Sequence, residues 1–443
     1  MPNDPGEPTS PDFGGEWKTC GCGGKTPLER IVFPALNILS KRISNKTVIG
    51  EGSDCGLVPV DGNLERKYTV LNRQAESVYG SDPDDIKDGR YWSVGGSFID
   101  PSIASSPSDL SSFLRSTYDL TGSNIKNTVL KGHTVQLPDA TTSFQFLDLF
   151  STVGSGGDGY WMVNFDAIHA FPDLGPALQS RIATLNALND CYAVGANKKR
   201  RVRPFVLAPN EECPTAQTVC SWFPSGGQQL RIEHPAIVQH NGDSWIFGAS
   251  VVATTYSSPP TRISSIKPGD AVLLHRPLGA LSLIATSAED NTPVDPEGNA
   301  VRHMTEDHRP VANSISKFLP FPDEEFDPKE HIKLATDISG PGISELNRIV
   351  SAFDLHLHVN SLPLIDESTL SERQRRWLVP DVTSETNGPI AVIGDPEVTK
   401  QFKSSLAEID SADPAELGVI ENGASDMTAE VPLQRYIETY TGN

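Results

Sequence analysis

The most regular hydrophobic pattern in the chain lies between residues 174 and 188. Apolar side chains recur there at three- and four-residue intervals, at Leu174, Leu178, Ile182, Leu185 and Leu188. This spacing places them on one face of a helix, so we predict an amphipathic helix that packs one side against a core. A similar pattern nearer the N-terminus predicts a helix over Pro27–Ser40.

Apolar runs and alternating apolar positions predict the strands. The run Tyr160–Asp166 is apolar and ends in a carboxylate. Further predicted strands are Val202–Leu207, Gly248–Thr255, a short strand within IKPGDAVLLHRPLG, Leu355–Val359, Pro389–Gly394 and Glu416–Ile420. Helices are predicted at Pro310–Phe318 and Gly342–Phe353, and between the last two strands. Because strands and helices mix in both halves, we predict the fold class α+β, or mixed α/β.

Residues 75–158 differ in composition from the rest of the chain. They are rich in Ser, Asp, Gly and Thr, with the segments SDPDD, DPSIASSPSD and VGSGGDG. We predict a large insertion made of loops and one helix, Ser108–Tyr118. A chain of 443 residues is too long for one ordinary core. We therefore predict a flexible arm over residues 1–43, a first domain over 44–238 that contains the insertion, and a second domain over 239–443.

The formal net charge of −21 at pH 7 limits the choice of partners. An acidic surface repels nucleic-acid phosphates and anionic lipids, so neither nucleic acid nor a membrane is expected as the main partner. The chain has no apolar run of about 18 residues and no signal-peptide pattern at its polar N-terminus, which predicts a cytoplasmic protein. Its six cysteines are too few for a disulfide framework and are predicted to be reduced thiols.

Four aspartates stand in turns or near the ends of predicted elements: Asp54, Asp166, Asp190 and Asp337. Carboxylates at such positions can converge on one cleft. Mg²⁺ takes one or two carboxylates together with substrate phosphates, so a cluster of this kind would fit a nucleoside triphosphate. The alternative for each residue is an ordinary helix cap or turn aspartate.

The arm CGCGGK, residues 20–25, combines thiols with a lysine. The ammonium of Lys25 would lower the pKa of a nearby thiol such as Cys22, and the glycines would let the loop bend towards a substrate. The alternatives are a structural turn or half of a zinc site. The chain has neither a Walker loop nor a Rossmann glycine motif. The basic segment 198–203 is predicted to be a solvated turn, with phosphate or partner contact as the alternative.

Six segments, taken together and in chain order, resemble the selenophosphate synthetase (selenide, water dikinase) family. They are CGGK at residues 22–25, GEGSDCGLVPVDGN, VNFDAIHAFPD with RIATLNALNDCYAVGA, IKPGDAVLLHRPLGA, LATDISGPGISEL and SETNGPIAVI. The resemblance covers most of the chain outside residues 1–16 and 75–158. It implies the two-domain aminoimidazole-ribonucleotide synthetase-like fold, in which the N-terminal domains of a homodimer form a β-barrel and the C-terminal domain is an α/β sandwich.

The resemblance also implies a reaction, in which ATP, selenide and water give selenophosphate, AMP and phosphate. By carry-over, the metal ligands for Mg²⁺ would be the four aspartates Asp54, Asp166, Asp190 and Asp337. Lys25 and the first three of these aspartates would hold ATP. Lys25 would also neutralise the transferring phosphoryl group, and Cys22 would deliver or activate the selenide.

The sequence departs from the family pattern at several positions. The second loop cysteine is Gly24, and the Gly-Gly-x-Thr turn reads Glu233-His234-Pro235-Ala236. An Asn-Arg pair reads His308-Arg309, and the Phe of Gly-Phe-Gly is Pro341. Two alternatives therefore stay open: a related ATP-dependent enzyme that uses sulfide or another small acceptor, and a non-catalytic paralog that binds nucleotide.

Overall fold

The structure is a computed structural model. It describes the strand residues 56–59, 91–93, 96–99, 134–136, 145–148 and 151–156, and then residues 159–430 apart from 210–213, 224–229, 241–244, 261, 290–291, 322–323, 341, 352, 367–381 and 424–426. Several predictions lie outside the described residues: the arm with Cys22 and Lys25, the helices Pro27–Ser40 and Ser108–Tyr118, and Asp54.

The elements are numbered in chain order within the described residues. The strands are β1 Gly56–Pro59, β2 Tyr91–Ser93, β3 Gly96–Ile99, β4 Thr134–Gln136, β5 Gln145–Asp148, β6 Ser151–Gly156, β7 Gly159–His169, β8 Lys198–Pro209, β9 Leu230–Ile232, β10 Ala236–His240, β11 Ile246–Thr255, β12 Ala271–Leu274, β13 Leu334–Asp337, β14 Leu355–Val359, β15 Ile390–Gly394, β16 Ala415–Asn422 and β17 Thr428–Ala429. The α-helices are α1 Pro176–Ala193, α2 Ala216–Cys220, α3 Ala280–Glu289, α4 Asn299–Met304, α5 Arg309–Ile315, α6 Ser344–Ser351 and α7 Pro396–Ser405.

Long antiparallel strands form the middle of the first sheet, whose order is β1-β6-β7-β11-β8-β10, with β9 also paired to β8. β7 and β11 pair without interruption from His169 opposite Ile246 to Tyr160 opposite Thr255. The predicted strand Tyr160–Asp166 is therefore confirmed, and it runs on to His169. The predicted strands Val202–Leu207 and Gly248–Thr255 are confirmed as parts of β8 and β11.

The prediction of loops and one helix for residues 75–158 does not include the strands that the structure has there. The strands β2 to β5 lie in this segment and form a small sheet in the order β2-β3-β5-β4. β6 also lies in it, and β6 pairs with β7 as part of the first sheet. The sequence of β6, STVGSG, is too polar to show the alternation of a strand. This strand is specified by pairing with its neighbour β7 rather than by its own pattern.

The first sheet continues past the predicted domain boundary. The step from residue 238 to 239 falls inside β10, and β11 pairs with both β7 and β8. The first sheet therefore extends to Thr255, and the strands after that residue pair in the second sheet. The division into domains itself stays a prediction.

The second sheet has the order β13-β15-β12-β16-β14-β17. Its strands confirm the predictions for Leu355–Val359, Pro389–Gly394 and Glu416–Ile420 and for the strand within IKPGDAVLLHRPLG. The helices predicted over Pro310–Phe318 and Gly342–Phe353, and the one between the last two predicted strands, are present as α5, α6 and α7. The mixed α/β class is thus confirmed, whereas the dimeric β-barrel stays a prediction.

Helix α1 lies between the two sheets. Of its 18 residues, 14 are buried, and polar side chains are among them. One hydrophobic cluster joins the end of α1 to Val251 of the first sheet and to Leu273 and Val392 of the second. The predicted helix is confirmed as α1, but the expectation of a single buried face is wrong, because α1 has core on more than one side. None of the helices in the described ranges is long and apolar enough to cross a membrane.

Candidate functional site

Three of the four predicted aspartates lie in described residues, each on a different element. Asp166 lies on β7, Asp190 lies in the last turn of α1, and Asp337 is the last residue of β13. Asp190 and Asp337 are buried, with 8% and 5% of their surface exposed, and Asp166 is half-buried. Because α1 packs against both β7 and β13, it brings carboxylates from the two sheets to one helix.

An asparagine amide binds each of these carboxylates. Asn186 Nδ2 donates to Asp166 Oδ2, and Asn164 Nδ2 donates to Asp190 Oδ2 at 2.5 Å. The contact from Asn189 Nδ2 to Asp337 Oδ2 is longer, at 3.4 Å. Asn186, Asn189 and Asp190 share one face of α1, since residues three and four positions apart lie above each other on a helix. We call these three carboxylates and three amides the amide–carboxylate network.

A second layer of contacts fixes the amides themselves. Asn189 Nδ2 also donates to the carbonyl of Gly388 at 3.0 Å, and its Oδ1 lies 2.7 Å from His308 Nδ1. Because a carboxylate and a carbonyl only accept hydrogen bonds, the NH₂ group of Asn189 must face them, and His308 Nδ1 must carry the proton. The loop before β15 and the residue before α5 therefore set the orientation of an amide on α1.

The donor atoms of the network suit a hard divalent cation. Carboxylate and amide oxygens are the ligands that Mg²⁺ takes in proteins, and no thiolate or unprotonated imidazole is needed. Within the described residues, however, no group of three or more His, Cys, Asp or Glu side chains is close enough to hold a metal ion. The structure thus places Asp166, Asp190 and Asp337 around one helix in three separate amide–carboxylate pairs, and it does not gather them into a ligand cluster.

Two buried histidines border the network without adding charge. The rings of His275 and His308 meet edge to face with their centroids 4.5 Å apart, and both side chains are almost completely buried. Burial lowers the pKa of both well below the ordinary value, and the charge of Arg276 lowers it further. Both imidazoles are therefore neutral at pH 7. Where the family has an Asn-Arg pair, His308 thus supplies a neutral polar group.

A buried carboxyl group lies at the N-terminus of α3. Glu385 Oε1 accepts hydrogen bonds from the backbone N–H groups of Gly279 and Ala280, the latter at 3.1 Å. Burial raises the pKa of Glu385 to about 7, although these N–H groups and Arg276 lower it. In sequence, Glu385 stands two residues before Asn387, so the loop that contacts α1 also holds the beginning of α3.

The basic segment 198–203 forms the start of β8, so the prediction of a solvated turn is wrong. Arg200 is buried and donates to the Tyr192 hydroxyl at 2.6 Å. Arg201 Nε donates to Glu233 Oε1 at 3.0 Å. Glu233 belongs to the segment that stands in place of the family's Gly-Gly-x-Thr turn, so its carboxylate is paired with an arginine. The negative charge of Glu233 is thus offset by its neighbour on β8.

The sequence patterns missed the asparagines. No sequence motif points to Asn164, Asn186, Asn189 or Asn387, yet they bind the carboxylates or each other. A signal was present for two of them, because Asn186 and Asn189 interrupt a helix whose other buried positions are mostly apolar. Buried polar groups need partners, so such interruptions mark a polar network.

A curated relative supports the resemblance seen in the sequence. A protein named selenide, water dikinase, from Trichlorobacter lovleyi, is 27% identical to this chain over 205 residues. The match covers 45% of this chain, and the chain spans only 55% of the length of that relative. The chain is therefore similar to a selenide, water dikinase. No protein-family model matches it.

Several solved structures align with part of this chain. Escherichia coli HypE has 12% identity and a TM-score of 0.47 or 0.48 in two structures, each covering 63% of this chain and 86% of that one. HypE in complex with ATP has 15% identity and a TM-score of 0.48, covering 64% and 87%. Thiamine monophosphate kinase from Aquifex aeolicus has 13% identity and a TM-score of 0.43, covering 64% and 92%. Similarity at this level says nothing about the substrate of this chain.

Proposed function

We propose that the chain is an ATP-dependent phosphotransferase of the selenophosphate synthetase type. Its reaction converts ATP, selenide and water into selenophosphate, AMP and phosphate, so that each of the three phosphorus atoms of ATP appears in one product. The name of the curated relative supports this choice of reaction. The proposal includes Mg²⁺ as the metal, a homodimer as the assembly and the cytoplasm as the location.

The observation that carries the proposal is the amide–carboxylate network. Asp166, Asp190 and Asp337 come from two sheets and one helix, and asparagines hold all three in fixed orientations. Each carboxylate has an asparagine donor of its own, which an ordinary solvated cap or turn aspartate would not need. Prearranged oxygen ligands of this kind suit phosphoryl transfer, in which positioning and charge neutralisation supply most of the catalysis.

The proposed roles follow the sequence positions. Asp54, Asp166, Asp190 and Asp337 would hold Mg²⁺, which neutralises phosphate charge when it is bound. Lys25 would contact the transferring phosphoryl group, and Cys22 would bring the selenide to it. Because a nearby ammonium raises the thiolate fraction of a cysteine, Lys25 and Cys22 would act together.

A second candidate is a related ATP-dependent enzyme with sulfide or another small acceptor. The replacement of the Gly-Gly-x-Thr turn by a segment whose Glu233 is paired with Arg201 favours it, because that turn belongs to the family's nucleotide site. A non-catalytic nucleotide-binding paralog is the third reading, and the presence of the network argues against it.

Phosphorus NMR of the purified protein with ATP, Mg²⁺ and selenide separates these readings. We expect signals of selenophosphate, AMP and phosphate. Turnover of ATP only when sulfide or another acceptor is added would replace the first proposal by the second. Nucleotide binding without turnover under any of these conditions would support the third reading, a non-catalytic nucleotide-binding paralog.

Replacement of Asp337 tests the metal role. We expect Asp337→Ala to weaken Mg²⁺-ATP binding by about 10- to 100-fold, the usual effect of disturbing a metal site. Asp410→Ala, at an exposed position, is the matched control and should bind like the unchanged protein. Isothermal titration with Mg²⁺ and a non-hydrolysable ATP analogue measures the affinities. Equal affinities for both variants would remove Asp337 from the site.

Replacement of Cys22 tests the thiol. We expect Cys22→Ser to abolish selenide-dependent turnover while ATP binding is kept, because serine does not form the reactive thiolate. Cys220→Ser serves as the control, since the pKa of the Cys220 thiol is raised by burial, which disfavours its thiolate. Full selenide-dependent activity of the Cys22→Ser protein would show that this thiol has no part in the reaction.

A further inference from the structure

Asn387 connects the second sheet to the amide–carboxylate network. It lies in the loop before β15, with a backbone φ of 50°. Residues with a side chain avoid this left-handed region, and asparagine is among the few that adopt it readily. Its backbone N–H donates to Asn186 Oδ1 at 2.5 Å, and Asn186 in turn donates to Asp166.

Two further polar groups of Asn387, its Nδ2 and its backbone carbonyl, are also bound. Its Nδ2 donates to the backbone carbonyls of Met304 at 2.9 Å and Glu306 at 3.0 Å. Its own carbonyl accepts from Arg276 Nη2 at 2.5 Å. Asn387 is buried, so each of these bonds forms in a low-dielectric environment where an unpaired group would be unfavourable. The residue is therefore held on three sides before it reaches Asn186.

Arg276 anchors this arrangement. Its side chain is 1% exposed, and its Nη1 donates to the carbonyl of His303 at 2.6 Å and to Glu306 Oε2 at 2.9 Å. The guanidinium group thus binds the end of α4, a carboxylate and the loop of Asn387 at once. A planar group with several fixed donors is suited to joining three segments in one geometry.

We propose that Asn387 is a positioning residue for the metal site, acting through Asn186 on Asp166. This inference rests on the proposed function. The Asn387 N–H fixes which end of the Asn186 amide faces it, and so leaves the Asn186 NH₂ group directed at Asp166 Oδ2. Without this contact the amide can turn, and its oxygen would then face the carboxylate. Asp166 Oδ2 would lose this donor, although Oδ1 would keep its bond from the Ala167 N–H at 2.8 Å, so the carboxylate would be less firmly oriented.

Asn387→Gly tests the inference with little backbone strain, because glycine adopts a positive φ freely. It removes the two bonds from Nδ2 that hold the loop in place. Asp354→Gly is the matched control: Asp354 has a φ of 57°, and it lies in an exposed turn before β14. Both variants thus make the same kind of change in the same backbone conformation, and only one of them contacts the network.

The measurement is the affinity for Mn²⁺, a spectroscopic substitute for Mg²⁺, by electron paramagnetic resonance, together with the thermal midpoint of each protein. We expect Asn387→Gly to bind Mn²⁺ about tenfold more weakly, the lower end of the effect of losing an outer partner of a metal ligand. Asp354→Gly should match the unchanged protein. The Mg²⁺ concentration that gives half-maximal ATP turnover should also rise in Asn387→Gly. General destabilisation would lower the turnover without raising this concentration.

The outcomes separate the two proposals. If the unchanged protein binds Mn²⁺ and consumes ATP but Asn387→Gly binds as well as Asp354→Gly, the positioning role is overturned and the proposed function stands. If the unchanged protein neither binds Mn²⁺ nor consumes ATP, the proposed function is overturned and this inference falls with it. If Asn387→Gly does not fold, Asn387→Asp replaces it. Its carboxylate would face the two carbonyls without donors, so Mn²⁺ affinity equal to the unchanged protein would again overturn the role.

Discussion

Asparagine is a suitable residue for holding carboxylates inside a protein, because its short side chain carries donors and an acceptor together. Asn186 uses both ends: its NH₂ group binds Asp166 and its oxygen accepts from Asn387. A lysine or arginine in the same place would also bind the carboxylate, but its positive charge would compete with a metal ion. An amide orients the carboxylate and leaves its negative charge available.

Glu385 provides a prediction about pH. The folded protein keeps the Glu385 proton up to a pKa of about 7, whereas the unfolded chain releases it near the ordinary value of 4.5. Between these values the native state binds more protons, so the free energy of unfolding falls as pH rises from about 5 to about 7. Glu385→Gln should lack this loss, which is on the order of 2–3 kcal/mol.

Urea unfolding at pH 5 and pH 8 measures the difference. Glu408→Gln, at an exposed position, is the control and should keep the pH dependence of the unchanged protein. If Glu385→Gln and Glu408→Gln lose stability in parallel between the two pH values, the folded protein does not raise the pKa of Glu385.

At the scale of elements, the pairing of β7 with β11 determines the position of Asp166. A Cβ at Gly248 would lie 2.6 Å from the Asp166 carbonyl oxygen and 2.9 Å from Ala167 Cβ. These distances are too short for carbon, so Gly248→Ala must push the two strands apart beside the site. We expect a loss of about 1–3 kcal/mol in unfolding free energy, typical of overpacking.

The comparison for this variant is Gly394→Ala on β15. Its nearest neighbour would be Thr399 at 3.6 Å, an ordinary contact, so its stability should change by less than about 1 kcal/mol. Denaturant unfolding of both variants gives the two values. Equal stabilities would mean that β7 and β11 adjust without strain.

The sequence predicted most elements with a regular hydrophobic period but not how they pack. β11, β15 and α7 match their predictions, because each shows a clear strand or helix pattern over its length. The pattern of α1 predicts a one-sided helix, and only the fold shows that both sheets cover it. For the site, Asp166, Asp190 and Asp337 could be selected as element-end carboxylates. Asn387 could not, because its role depends on a backbone conformation and on contacts far apart in the chain.

At the scale of the whole molecule, the net charge of −21 makes like charges repel one another across the surface. Salt shortens the range of this repulsion, from about 10 Å at 0.1 M to about 3 Å at 1 M. We therefore expect the thermal midpoint to rise between low and high KCl, as in proteins adapted to salt. NaCl should act equally, which excludes binding of a specific ion. A thermal midpoint that does not respond to either salt would show that surface charge repulsion does not limit the stability of this protein.

The burial of α1 between two sheets has a consequence for how the chain can be divided. A fragment that ends after Thr255 would keep α1 but expose the apolar surface that Leu273 and Val392 cover. A fragment that begins there would lack the helix that completes its core. Neither piece is self-sufficient, so the molecule should melt in one cooperative step, and neither half could be exchanged as a module between proteins without taking α1 with it.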